Sequence, residues 1–217
     1  MACDETIPTM KPKTKTAKGR RAPERRSKRS LQIDLASILS VDHTCDGCSP
    51  GEICCCAHHE VCVTKAELAR IINLLPEASA FCPHLRSGEG YDNVFEEVEL
   101  GLYAIDTTED GLCLFAFVSD QKIRCSLHAV ATAHGMPLAK VKPAPCLLWP
   151  LSLSEGDEVL LLADNAFEYK CTSQRRKRSK RLSAAFAEAI ELVYGAGCGA
   201  HAAEEARRGR LRTTLPR

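Results

Sequence analysis

The chain has 217 residues, 45 % of them hydrophobic, which is enough apolar mass for one buried core with tails. Its formal net charge of +1 hides a segregation: residues 1–30 carry ten Lys/Arg against three acids, residues 174–217 carry eleven against four, and residues 31–173 are left with a net −13. Residues 1–30 contain no apolar run of signal-peptide or membrane-span length, and Asp4, Glu5 and Glu24 speak against a mitochondrial presequence, so the composition predicts a cytoplasmic protein with no membrane partner.

Residues 1–30, rich in Lys, Arg, Pro and Ser, have too few apolar groups to offset the entropy of ordering and are expected to form a disordered basic arm. The segment 31–39 alternates and then clusters its apolar residues, a pattern compatible with a strand or a short helix. Asp46-Gly47 and Ser49-Pro50-Gly51 mark tight turns. Thr64-Lys65-Ala66-Glu67 reads as a capping box opening a helix whose Leu68, Ile71, Ile72 and Leu75 share one face, with Pro76 as its stop. Segments 98–105 and 112–118 flank a turn at 107–111 and predict a hairpin; after Ser119-Asp120-Gln121, Ile123-Arg124-Cys125 adds a third short strand. Residues 126–134 form a small helix ended by Gly135, and 158–163 another strand. An amphipathic helix follows over 175–194, with Leu182, Phe186, Ile190 and Val193 on its apolar face.

The expected organisation is therefore a basic arm (1–30), a cysteine-cluster metal-binding domain (31–173), a C-terminal amphipathic helix packing on it (174–197) and a flexible basic tail (198–217). The fold class is α+β: a small cysteine-rich, metal-stabilised domain with a short antiparallel sheet and flanking helices.

The thiols set the chemistry. Six of the thirteen cysteines fall within eighteen residues, at Cys45, Cys48, Cys54, Cys55, Cys56 and Cys62, with His58 and His59 among them. Without an export signal, that density points to metal rather than to disulfides. Cys45-x-x-Cys48 is the turn that lets two thiols reach one ion, but no second such pair completes a zinc ribbon, and the cysteine run of bacterial ferredoxins is absent. Adjacent cysteines point in different directions. Two of Cys54, Cys55 and Cys56 can share an ion while the third packs, or two centres exist. Cys113, Cys125 and Cys146 are expected to join from distant strands and strand ends, with Cys82, Cys171, His58 and His128 as additional candidate ligands. Cys3 and Cys198 read as small hydrophobes. The cofactor predicted is an iron-sulfur cluster or a zinc ion.

These residues resemble the YkgJ-type cysteine-cluster family, a zinc- or iron-chelating domain. Its Cys-x-x-Cys and following doublet look like Cys45-Asp46-Gly47-Cys48 with the Cys54-Cys55-Cys56 triplet, and its helix opening looks like Val63-Thr64-Lys65-Ala66-Glu67-Leu68. Its three single cysteines resemble those of Cys113-Leu114-Phe115, Cys125-Ser126-Leu127-His128 and Pro145-Cys146-Leu147-Leu148-Trp149-Pro150. The resemblance covers residues 45–151 and leaves open which pair of the triplet takes the family role. It implies metal chelation through thiolates; some flagellin lysine N-methylases carry such a cluster with iron-sulfur chemistry, so a redox or methylase-like enzyme is implied by analogy alone.

A second class of function rests on charge. Arg175, Arg176, Lys177, Arg178, Lys180 and Arg181, with the basic arm, can neutralise phosphates, which makes a nucleic-acid or ribonucleoprotein accessory with a structural zinc the alternative reading. No aromatic residues are interleaved for base stacking, and no phosphate loop, nucleotide fingerprint or HExxH motif occurs.

Overall fold

Two large apolar cores, one built mainly from the chain's ends and one from its middle, are joined by two small clusters around Cys48 and Cys54 and around Trp149 and Tyr169. The computed structural model describes residues 30–86, 94–154, 156, 159–174 and 179–216. The arm expected over 1–30 lies, except for Ser30, outside the described residues, as do Arg175, Arg176, Lys177 and Arg178.

In chain order, β1 (Gln32–Ile33), α1 (Leu35–Ile38) and β2 (Val41–His43) precede the cysteine loop, which contains α2 (Cys55–His58). β3 (Cys62–Thr64) runs directly into α3 (Lys65–Ile72), followed by α4 (Leu75–Ser79). The hairpin of β4 (Phe95–Glu99) and β5 (Leu102–Ile105) and the hairpin of β6 (Ala116–Ser119) and β7 (Lys122–Cys125) lead to α5 (Ser126–Ala133). After α6 (Ala144–Leu148) come β8 (Leu151–Leu153), β9 (Val159–Leu162) and β10 (Thr172–Gln174). The chain closes with α7 (Ala184–Tyr194), α8 (Cys198–Arg207) and β11 (Thr213–Thr214).

The end-built core lies on a sheet of order β11-β1-β9-β8, in which β1 is antiparallel to β11 and parallel to β9. Ile33, Leu151 and Leu160 of this sheet bury against Leu35 and Ile38 of α1, Phe186 and Ile190 of α7, and Ala202 and Ala206 of α8. The middle core packs Ile71, Leu75, Leu127 and Val130 of the helices against Val63, Ile105 and Phe115 beside the sheet β3-β5-β4. Two-stranded pairs β10-β2 and β6-β7 lie between, and they carry the cysteines toward one another. The α+β class with short antiparallel sheets and flanking helices is what the chain adopts; the parallel β1-β9 pair is an addition to it.

Several elements differ from the sequence expectation for identifiable reasons. Pro76 does not end α3; it sits in the first turn of α4, where its missing N–H costs nothing, and the chain turns between the two helices at Asn73-Leu74. The single hairpin expected across 107–111 is replaced by two. β4 and β5 turn at Leu100-Gly101, where Gly101 takes φ +79°, and β6 and β7 turn at Asp120-Gln121, both with φ above zero as a tight right-twisted hairpin demands. The C-terminal helix starts at Ala184 rather than at 175.

The largest correction concerns residues 198–217, expected as a flexible tail. Cys198, Ala202 and Ala206 repeat every fourth residue, and this stripe of small side chains lets α8 lie closely on α7. Gly199 marks the tightest approach: a Cβ there would stand 2.1 Å from the Ala187 carbonyl oxygen. β11 then pairs with β1, and Leu215 seals the core. Small residues carry a weak hydrophobic signal, so their packing is invisible until a partner helix is present.

Candidate metal centre

The capping box read from the sequence forms, and it reaches further than its own helix. Glu67 Oε2 accepts from the Thr64 backbone N–H at 2.9 Å, and Thr64 Oγ1 accepts from the Glu67 N–H at 3.3 Å. The other oxygen, Glu67 Oε1, accepts from the Ala144 N–H at 2.8 Å, so the start of α3 also holds the first turn of α6, which bears Cys146.

Cys54 is extended at the N-terminal boundary of α2, and Cys55 and Cys56 open that helix. The sulfurs of Cys54, Cys55 and Cys56 all lie within 4.8 Å of one another and can hold a metal ion. The short helix is anchored on several sides. The Cys113 N–H donates to the Cys56 carbonyl at 2.7 Å, the Tyr169 hydroxyl donates to the His58 carbonyl at 3.2 Å, and His58 Nδ1 rests 3.3 Å from the Cys54 nitrogen. β7 ends at Cys125, directly before α5.

These anchors bring Cys55, Cys56, Cys113, Cys125 and Cys146 to the wall of one cavity of about 50 Å³, together with Lys142. Its remaining walls are mainly apolar, with Phe115 on one side and the His59 ring 4.4 Å from that of Trp149 on another. A few water-sized bodies fit such a volume. The indole N–H of Trp149 is buried and has no hydrogen-bond partner, and the same is true of the Ser126 hydroxyl beside Cys125.

Electrostatics in this cavity work against free thiolates. Burial pushes the Cys113 thiol up to about 12, and burial likewise raises Cys146 above the ordinary thiol range. Within the triplet, hydrogen bonds from Cys54 and Cys56 lower the Cys55 thiol, while its neighbours hold Cys56 protonated. Burial disfavours the Lys142 ammonium, but the sulfurs of Cys125, Cys146, Cys56 and Cys55 outweigh it and raise its pKa. The site thus places a cation beside the lowered Cys55 thiol and beside Cys113 and Cys146, which burial keeps protonated, and a bound metal ion is what makes several thiolates tolerable in such a place.

The remaining predicted residues divide. Cys45, Cys48 and Cys171 line a second cavity of about 210 Å³, and Cys45 also borders the open cleft that reaches Cys55, Cys56, Cys125 and Cys146. Cys82 is fully buried, its sulfur 3.0 Å from the Leu114 carbonyl and 3.2 Å from that of Ala116, apart from both cavities. Cys62 lies in β3, paired with Ala104, and Cys198 packs in the end-built core. His128 is exposed on α5 along an open cleft beside Cys125 and Lys142. Lys180 and Arg181 precede α7 and line neither thiol cavity.

Lys142 and Trp149 are site residues that the sequence reading passed over, and His59 is the histidine it weighed less than His58. Lys142 precedes the Pro143 cap of α6, so no helical spacing links it to Cys146 and no signal in the sequence singles it out. Trp149 reads as plain core until its unpartnered N–H is seen.

The fold and site define an α+β protein with a partly buried cysteine group able to hold a metal ion. No family model, curated protein or solved structure matches the chain. Among the described residues, no helix is long and apolar enough to cross a membrane.

Proposed function

We propose that this protein binds a metal centre, a zinc ion or an iron-sulfur cluster, through four of Cys55, Cys56, Cys113, Cys125 and Cys146. The observation that carries this reading is the convergence of these five thiols on one small cavity from four separate parts of the chain. Both centres take four thiolates, so the donor set suits either. The unpartnered Trp149 N–H and the Lys142 ammonium support it further, since metal-bound sulfur accepts hydrogen bonds and needs its negative charge balanced. When bound, zinc would supply a fixed crosslink, whereas a cluster would add one-electron chemistry. The resemblance to YkgJ-type proteins belongs to the same reading: its three single cysteines are Cys113, Cys125 and Cys146. Reduced thiols in this number favour a cytoplasmic location.

Anaerobic purification followed by elemental analysis and visible absorption tests the proposal. Brown protein with iron and acid-labile sulfide selects the cluster; colourless protein loaded with zinc selects the ion. Metal-free protein that remains folded, and that takes up neither metal on reconstitution, overturns both.

A further inference from the structure

The cysteines outside this cavity form a group of their own. β2 and β10 pair antiparallel with His43 opposite Thr172, and the ladder continues as the Thr44 N–H donates to the Cys171 carbonyl at 2.9 Å. Cys45 and Cys171 therefore leave the end of one two-stranded ribbon together. Cys48 is brought to them by the turn through Gly47, whose φ of +79° a residue with a side chain rarely adopts.

Three contacts hold that turn in place. The Ile123 N–H donates to the Cys48 carbonyl at 2.7 Å, and Lys122 Nζ donates to the Gly47 carbonyl at 3.2 Å. Glu52 accepts from the Ser49 N–H and pairs with Lys170, clamping the loop after Cys48 onto the turn before β10 that carries Cys171. The result is the 210 Å³ cavity walled by Cys45, Cys48 and Cys171, with Lys122 and Lys170 beside them. Cys54, which is 3 % exposed, does not line this cavity but is joined to it through a side-chain hydrogen bond with Cys48.

We propose that Cys45, Cys48 and Cys171, completed by Cys54, form a second thiolate site that takes a divalent cation of the zinc class, distinct from the inner centre. Three thiolates from a Cys-x-x-Cys turn and the facing turn before β10, with a fourth from the next loop, are the donor set a tetrahedral structural ion requires. Lys122 places positive charge beside the thiolates, while the charge of Lys170 is shared with Glu52 and Asp46 also lines the cavity. Cys171 lies beyond residues 45–151, so the resemblance does not assign it. Cys54 stands between the two groups, since its sulfur is also within 4.8 Å of those of Cys55 and Cys56; its commitment to the outer site is part of the proposal and leaves Cys55 and Cys56 for the inner one. The outer site stands or falls independently of the inner centre.

The test compares the full-length protein with the variants Cys171→Ser, Cys146→Ser and the two combined, each purified anaerobically. Bound metal per chain is measured, and cysteines are mapped by alkylation before and after chelation. Cys171→Ser is expected to lower bound zinc by about one ion per chain and to expose Cys45 and Cys48 to alkylation while the inner thiols stay protected. Cys146→Ser is expected to spare the outer protection. If Cys171→Ser does not fold, the exposed Cys45→Ser replaces it. Unchanged metal content and protection in both outer-site variants overturns the second site while leaving the inner one standing. Protection of Cys171 that reductant relieves and chelator does not would show a disulfide, and would overturn it equally. Loss of metal confined to Cys146→Ser rejects the outer site; loss confined to Cys171→Ser rejects the inner reading alone.

Discussion

The two ends of the chain and the cysteine-bearing elements between the cores are held together by different physics. In the end-built core, Ile33, Leu35, Ile38, Phe186 and Ile190 are each at most 1 % exposed, and the single thiol, Cys198, is one small apolar group among them. Such packing needs nothing but the chain itself. The cysteine region has short elements instead, a four-residue α2 and the pairs β2-β10 and β6-β7, and its buried groups are thiols whose burial raises their pKa values. A region of that kind gains its rigidity from what the thiols bind.

Three interventions test this division. The largest effect is expected from metal removal: a chelator under reducing conditions should accelerate amide hydrogen exchange strongly in α2, β6 and β7, while β1 and α8 keep their protection. Mass spectrometry of the exchanged peptides reads this directly, and an equal loss across the chain would abolish the distinction. Next is Gly199→Ala, whose methyl would collide with the Ala187 carbonyl oxygen at 2.1 Å. Overpacking of this type costs about 1–3 kcal/mol. The expected outcome is a lower Tm with unchanged metal content; an unaltered Tm would mean that the α7-α8 contact yields easily.

The smallest effect is a pH dependence in the end-built core. Glu191 accepts from the Gly197 and Gly199 N–H groups at the start of α8, the latter at 2.7 Å, and these hydrogen bonds hold its carboxyl below the usual carboxylate range. A carboxylate whose pKa is lower in the folded chain contributes stability that is present above its unfolded value and is lost as pH falls through the folded value. Glu191→Gln should therefore narrow the stability difference between neutral and acidic solution. Denaturant titrations of both proteins across that range measure it, and parallel pH profiles would show that the capping contributes nothing.

Much of the local structure was legible in the residues. The Thr64–Glu67 capping box, the helix over 126–133 ended by Gly135, and the strand now seen at Val159–Leu162 each follow from a signal within a few positions. The turn at Asp120-Gln121 and the strands on either side of it follow from the residues, but the partner of 98–105 does not, because alternation identifies a strand without naming its neighbour. The α8 stripe of Cys198, Ala202 and Ala206 was missed because small residues bury little area and matter only against a close partner.

For the site, the sequence by itself determined the chemistry. Six cysteines in eighteen residues, a Cys-x-x-Cys turn and three later thiols specify sulfur donors whatever the fold. Only the tertiary structure decided which of them meet. It sends Cys55 and Cys56 to Cys113, Cys125 and Cys146, sets Cys45 and Cys48 against Cys171, buries Cys82 against the Leu114 and Ala116 carbonyls, and places Lys142 and Trp149 at the inner wall. The physical reason is that donor identity is a property of each side chain, whereas convergence depends on contacts between residues that lie far apart in sequence, such as Glu67 with Ala144 and Cys113 with Cys56.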